Sequence, residues 1–241
     1  MLISVAIPAY NEEKLLPQTL AAIRSAGEAF TELDWDMELV VCDNNSTDRT
    51  AEIAQAKGAR VVFEPHNQIS RARNAAGRAA RGDWIIFVDA DSAPSRELFA
   101  ATAEAIRGGS LIGGGATIRM PGIPLWARFW VGAWNCTSRL MRWPAGSYIF
   151  CRAEAFRAVN GFSTTLYAGE ELDFGERLKN QAKQCDQRMR ILSDHPLTTS
   201  GRKMDLYSPL ELVRLFFATV FTGGRALKQA ESCGWWYDGR R

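Results

Sequence analysis

Short apolar runs at residues 3–7, 39–42, 60–63 and 84–88 punctuate the first ninety residues of the chain. They are rich in β-branched and aromatic side chains and bounded by polar segments, the pattern of strands buried on both faces. Helical periodicity fills the gaps. Leu16, Leu20 and Ile23 recur at helical spacing behind Asn11-Glu12-Glu13. That predicts a helix opening at Asn11, with an asparagine cap and acidic residues at the positive end of its dipole. A second helix is predicted from Asn45-Ser46-Thr47-Asp48 to about residue 57, with Gly58 as its stop, and a third over 69–81, closed by Gly82. Strand–helix alternation of this kind predicts an α/β fold with a mostly parallel, Rossmann-like central sheet flanked by helices.

Beyond residue 95 the pattern is less regular. A helix over 95–107 leads to a glycine-rich strand at 111–118, and further strands are expected at 148–151 and 189–192, with helices at 154–159 and 170–184. Trp126, Phe129, Trp130 and Trp134 fall at helical spacing, which predicts a buried face. With Arg128, Arg139 and Arg142 nearby, the same stripe also suits a lipid surface or an apolar acceptor. Leu212, Leu215, Phe216 and Phe217 pose the same choice, and core packing is the expectation for both. No repeat or linker interrupts the chain. The expectation is a single domain over 1–241, whose halves 1–95 and 96–241 share one sheet. The first half would bind the cofactor or donor, and the second, with its C-terminal helical segment, would shape the remaining substrate.

Composition narrows the function classes. The 241 residues, 46% hydrophobic and 23% charged, are ordinary globular material. A net charge of +2 without a long basic run argues against nucleic acid as partner, although Arg71, Arg73, Arg78 and Arg81 gather locally. Cys42, Cys136, Cys151, Cys185 and Cys233 are odd in number and show no Cys-x-x-Cys spacing, which argues against a zinc site or disulfide framework and fits a reducing compartment. The start of the chain lacks a basic stretch before its apolar residues and reads as a strand, not a signal peptide. The most apolar stretch, 210–221, is shorter than the roughly 20 residues of a membrane span and carries Glu211 and Arg214. A cytoplasmic protein is expected, with peripheral contact at the inner membrane face as its only membrane association.

Candidate chemistry lies at the strand ends. Pro8-Ala9-Tyr10-Asn11-Glu12, Asp43-Asn44-Asn45-Ser46-Thr47-Asp48 and Asp89-Ala90-Asp91 each follow a predicted strand, and parallel strands put those ends on one sheet edge, where ligands bind. Asp89 and Asp91 offer oxygen ligands to a hard divalent cation such as Mg²⁺ or Mn²⁺, which commonly has a phosphate on its other side. The competing reading is an acidic turn that caps the next helix. Tyr10 with neighbouring acids could hold a nucleoside by stacking and hydrogen bonds.

These segments, with Ala72-Arg73-Asn74-Ala75-Ala76-Gly77, Gly161-Phe162 and Gly169-Glu170-Glu171-Leu172-Asp173-Phe174, follow one another in an order that resembles the inverting GT-A glycosyltransferases of family two. The resemblance implies a GT-A fold and transfer of a sugar from a nucleoside-diphosphate donor to an acceptor hydroxyl by single displacement. The donor would be a UDP-sugar by preference, or a GDP- or dTDP-sugar, and the acceptor is unidentified, lipid-linked among the options. It implies nucleotide-sugar contacts from Pro8, Ala9, Tyr10, Glu12, Asp43, Arg73, Asp89 and Ala90, and direct coordination of Mn²⁺ or Mg²⁺ by Asp91. Gly146, in Ala145-Gly146-Ser147, would bring backbone close to the substrates. Glu171 would be the base, standing where the family usually has Asp, which leaves Glu170 and Asp173 as rivals; the three acids also suit a helix N-terminus. Another departure is Asn160 before Gly161-Phe162, where many relatives have glycine; the expected effect is on a turn. His195 matches the late histidine that some such enzymes add as a metal ligand, and Arg202 or Lys203 would meet the diphosphate. His66 belongs to a turn. Among alternatives, Ser92-Ala93-Pro94 lacks the residue that Asp-dependent phosphatases place after Asp-x-Asp, and the glycine-rich signature of sugar nucleotidyltransferases is missing. A non-catalytic nucleotide-sugar-binding module would not need Glu171 beside Asp89 and Asp91.

Overall fold

A computed structural model describes residues 1–201. Arg202, Lys203 and the apolar residues 210–221 lie outside the described residues. The elements run β1 (Leu2–Ala9), α1 (Leu16–Thr31), β2 (Asp36–Asp43), α2 (Thr50–Ala56), β3 (Arg60–Phe63), α3 (Ile69–Ala79), β4 (Trp84–Val88), β5 (Ser92–Ala93) and α4 (Arg96–Arg107). They continue with β6 (Leu111–Arg119), α5 (Leu125–Met141), β7 (Tyr148–Arg152), α6 (Ala153–Ala158), α7 (Glu170–Gln184) and β8 (Arg188–Thr199).

The strands form one eight-stranded sheet in the order β3-β2-β1-β4-β7-β6-β8-β5. The expected mostly parallel sheet is present: β3, β2, β1 and β4 run parallel, β7 runs antiparallel between β4 and β6, and β6 and β8 are parallel again. Both halves of the described chain contribute strands to it. The run Trp84-Ile85-Ile86-Phe87-Val88 is apolar throughout because helices cover both faces. Trp84, Ile86 and Val88 pack with Leu16, Leu20 and Phe99 on one side, and Ile85 and Phe87 with Ala72, Ala76 and Phe156 on the other.

Three expectations are corrected. The first helix begins at Leu16 with Leu15 as an uncapped N-cap, not at Asn11. Asn11 takes a left-handed φ of 52° and spends its side chain on a neighbouring loop; Pro17, pre-set for a first helical turn, starts the helix instead. The last strand continues past Leu192 to Thr199, so Asp194-His195-Pro196 is not a loop after the strand. Its register with β6 jumps from Ala116↔Leu192 to Ile118↔Leu197, which leaves residues 193–196 as a bulge.

The third correction concerns the aromatic helix α5. Phe129 and Trp130 are 71% and 61% exposed, and Trp126 and Trp134 half-buried, so the stripe is not a buried face. The side that meets the sheet is built from Ala127 and Ser138, and Asn135 anchors it by exchanging two hydrogen bonds with the Ile118 backbone of β6 (3.0 and 2.8 Å).

Candidate active site

Strand order runs from β1 outward to β2 and β3 on one side and to β4 on the other, so β1 and β4 flank a topological switch point. Ligands of open α/β sheets bind outside the carboxyl ends of such strands. Two loops there are sewn together. The Asn11 amide donates to Ser46 Oγ (3.0 Å), the Thr47 amide to Asn11 Oδ1 (2.8 Å), and the Glu12 amide to Thr50 Oγ1 (2.8 Å). Asp43 is nearly buried at the end of β2, its Oδ1 accepting from the Ser46 amide at 3.0 Å. Pro8 and Ala9 close β1 opposite Cys42 and Asp43, with Tyr10 half-buried beyond them.

Asp89, Ala90 and Asp91 follow β4 on the same edge. Thr19 Oγ1 donates to the Ala90 carbonyl (2.8 Å), tying the turn to α1, and the Ser200 amide donates to the Asp91 carbonyl (3.2 Å). Ser92 Oγ meets Thr199 Oγ1 at 2.9 Å. The end of β8 thus pins the turn that carries Asp91, a contact that no local sequence signal announces.

Arg73 joins this edge to the second half. It lies on α3 among Ala72, Ala76 and Gly77, small residues that let the helix approach the sheet closely. Only 2% exposed, it donates from Nη1 to Glu170 Oε1 (2.6 Å) and from Nη2 to Asp89 Oδ1 (3.0 Å) and the Gly146 carbonyl (2.9 Å). Its guanidinium also lies 5.5 Å from the centre of the Phe162 ring. Burial works against the Arg73 charge, but Asp89, Glu170 and Glu171 more than offset it and hold the group protonated.

Three carboxylates surround that one cation, and the excess of negative charge disfavours ionisation of the most buried of them, Glu170. Burial first, then the neighbouring charge of Glu171, pushes the Glu170 carboxyl up to about 8, against the attraction of Arg73. Glu171 is half-buried, its carboxyl carbon 3.6 Å from where a Cβ on Gly146 would lie. Asp173 is paired with Arg177 at 2.6 Å. Of the three acids that open α7, Glu170 and Asp173 are therefore engaged by arginines, and Glu171 faces Gly146. Gly169, at φ 73°, supplies the left-handed residue from which the helix starts.

The remaining sequence candidates separate. His195 sits exposed in the β8 bulge, away from Asp89 and Asp91 in the turn after β4. His66 lies in the exposed turn after β3, against Glu64. Arg78 and Arg81 are exposed, whereas Arg71 is half-buried and donates to Gln68 (3.0 Å). Asn160 takes a left-handed φ of 57° in the turn before Gly161-Phe162, a conformation that asparagine tolerates. Sequence reasoning missed the amides that brace the site. Asn44 accepts from the Gln68 amide, Gln68 donates to the Thr164 and Leu166 carbonyls, and Asn74 exchanges two 2.8 Å bonds with the Phe162 backbone. Among the described residues no three His, Cys, Asp or Glu side chains converge as a metal-holding group.

Comparison with known proteins identifies the fold and the family. An uncharacterized glycosyltransferase of Mycobacterium bovis is 37% identical over 113 residues, 46% of this chain and 47% of that protein. The undecaprenyl-phosphate 4-deoxy-4-formamido-L-arabinose transferase of Pseudomonas paraeruginosa is 38% identical over 124 residues, 46% of this chain and 34% of that protein. The chain thus spans about half the length of the first relative and a third of the second. Among solved structures, S. aureus TarS 1–349 in complex with UDP superposes with a TM-score of 0.64 at 21% identity, covering 99% of this chain and 70% of that one. Glucosyl-3-phosphoglycerate synthase from Mycobacterium tuberculosis, in complex with Mn²⁺, UDP and phosphoglyceric acid, gives 0.60 at 20% identity, covering 92% and 78%. The fold is that of the GT-A glycosyltransferases. The model of glycosyl transferase family 2 matches residues 4–153, more than half of the chain and most of the site just described, so the chain belongs to that family.

Proposed function

We propose that this protein transfers a sugar from a nucleoside-diphosphate donor to an acceptor hydroxyl, by a single displacement that inverts the anomeric carbon. The observation that carries this reading is the convergence of Asp89, Glu170, Glu171 and the Gly146 backbone on Arg73, at the edge where β1, β2 and β4 end. Residues 1–95 would hold the donor and the second half the acceptor. Pro8, Ala9, Tyr10, Glu12 and Asp43 would receive the nucleoside, a uridine by preference, in line with the UDP complexes of the structural neighbours.

Arg73 is too deeply buried to grip a diphosphate. It acts by holding Asp89 and the Gly146 carbonyl in place. Glu171 takes the proton of the acceptor hydroxyl, since Glu170 is engaged by Arg73 and Asp173 by Arg177. A base needs hydrogen-bond reach to that proton, and the longer Glu side chain supplies it from the first turn of α7. A hard divalent cation that takes its remaining ligands from water and diphosphate needs only one or two carboxylates. Asp91, half-buried on a turn braced by Thr19 and Ser200, fits that demand, and the exposed His195 of the β8 bulge is left out of the set. Mn²⁺ or Mg²⁺ held there would neutralise charge on the leaving diphosphate.

The test is a panel of nucleoside-diphosphate sugars, each with Mn²⁺ or with chelator, scored for thermal stabilisation and for release of nucleoside diphosphate. One donor should stabilise and turn over only with metal, and Asp91→Ala should abolish both effects. Full activity in that variant would sink the assignment, and donor binding without turnover would identify a sensor.

A further inference from the structure

Helix α5 is amphipathic with its apolar side outward. Leu125, Phe129, Gly132, Cys136 and Leu140 recur at helical spacing along one exposed ridge without a charge among them. Leu125 is 79%, Phe129 71% and Leu140 78% exposed, with Trp130 beside the ridge in an edge-on contact with Phe129. Exposed apolar surface of this extent on one helix marks a docking surface.

Charge indicates what docks there. Between Glu104 and Glu154 the chain carries six arginines, at 107, 119, 128, 139, 142 and 152, and no acidic residue, although the whole chain has a net charge of only +2. Arg128, Arg139 and Arg142 flank the ridge, all exposed. At the foot of the helix, a cavity of about 610 Å³ opens between Arg119 and Arg128, floored by Met120, Pro121 and Ile123. Two copies meeting through this face would set like charges against each other across a two-fold axis. Phosphate headgroups above an acyl layer match both the arginines and the aromatic side chains. No helix among the described residues is long and apolar enough to cross a membrane.

We propose that the outer face of α5 seats this protein on an anionic lipid bilayer: Leu125, Phe129, Trp130 and Leu140 enter the headgroup boundary, and Arg119, Arg128, Arg139 and Arg142 pair with lipid phosphates. Docking stands on its own observations; where it leads rests on the transferase reading. The chain leaving α5 runs directly into Gly146, which lies against Arg73 and Glu171. An acceptor carried in the bilayer would thus reach the proposed base from the α5 side.

The experiment is flotation of the full chain with vesicles of equal parts phosphatidylcholine and phosphatidylglycerol, and with phosphatidylcholine alone. The protein should float with the anionic vesicles at low salt, and at least tenfold less with the neutral ones. Phe129→Ser combined with Trp130→Ser should reduce flotation at least tenfold, and Arg128→Ala or Arg139→Ala roughly fivefold each. All these side chains are exposed, so thermal midpoints should match wild type, as should donor turnover measured without vesicles. No flotation of the wild type overturns the proposal. So does undiminished flotation of the double variant, which would move docking elsewhere, residues 202–241 included. A wild-type dimer that the same substitutions dissociate would give the face to a second copy and overturn it equally. Flotation without donor turnover leaves docking standing and removes the transferase reading; turnover without flotation does the reverse.

Discussion

Replacing Glu170 by Gln tests the electrostatics of the site without any substrate. The amide keeps an acceptor for Arg73 Nη1, 2.6 Å away in the native protein, and removes one of the negative charges around that guanidinium. Burial and Glu171 raise the native Glu170 carboxyl from 4.5 to about 8. Between those values the folded protein holds a proton that the unfolded chain has released, so native stability falls as pH rises through the window. Below 4.5 both states are protonated and the penalty vanishes; above about 8 the full cost is in place. A tenfold change in proton affinity corresponds to about 1.4 kcal/mol, so a carboxyl raised from 4.5 to about 8 costs on the order of 2–5 kcal/mol when it ionises, which the variant recovers. For a chain of this size that is roughly 5–15 °C in thermal midpoint. The assay is thermal unfolding of both proteins at pH 5 and pH 8.5, followed by circular dichroism. The midpoint of E170Q minus that of wild type should increase from the lower to the higher pH. A difference that stays constant, or that moves in favour of wild type at high pH, refutes the reasoning.

Other perturbations separate the supports of the site. Arg73→Met leaves Asp89 and Glu170 without their shared cation and should cost about 3–5 kcal/mol, read as a lower denaturant midpoint; Arg73→Lys should recover only part, because a point charge does not bridge two carboxylates and a carbonyl. Asn74→Ala orphans the Phe162 amide and carbonyl, both buried, and should cost about 2–4 kcal/mol in the same measurement. Gly114→Ala should abolish soluble expression, since its Cβ would stand 1.9 Å from the Arg190 carbonyl oxygen in the adjacent strand. A soluble Gly114→Ala protein with native circular dichroism would contradict the β6–β8 pairing.

Where the sequence can be read and where it cannot follows from the range of the interactions. Residues 60–63, 84–88 and 170–184 are elements with the bounds expected from local pattern, because burial on both faces or a strong helical period leaves its mark within a few residues. The start of α1 escapes such a reading because Asn11 and Glu12 bond to Ser46, Thr47 and Thr50, partners some 35 positions away. The aromatic stripe of α5 misleads for a related reason. Periodicity reports that a helix has an apolar side, not which side meets the sheet, and Asn135 settles that by its bonds to Ile118. Asp89, Arg73 and Glu170 each stand in a legible motif, but their mutual contact is not legible, since it depends on the pairing of strands far apart in sequence.

That pairing explains why the site forms where it does. In an all-parallel sheet the strand beside β4 would bring its own carboxyl end to the edge that carries Asp89, and a helix N-terminus would follow. Here β7 runs antiparallel, with Val88 opposite Tyr148. The amino end of β7 therefore arrives at the carboxyl end of β4, and the segment Pro144-Ala145-Gly146-Ser147 is delivered beside Asp89. The Asp89 amide donates to the Ser147 carbonyl (3.3 Å), and Arg73 holds Asp89 and the neighbouring Gly146 carbonyl with one nitrogen. A slip of one residue in the β4–β7 register would turn every side chain of one strand to the wrong face. It would also carry Gly146 out of reach of Arg73. The apolar alternation Tyr148, Phe150 against Ile149, Cys151 forbids that slip, because the two sets belong to the two separate cores. The packing of β7 thus determines the position of Gly146, and through Arg73 the positions of Asp89 and Glu170, before any substrate is bound.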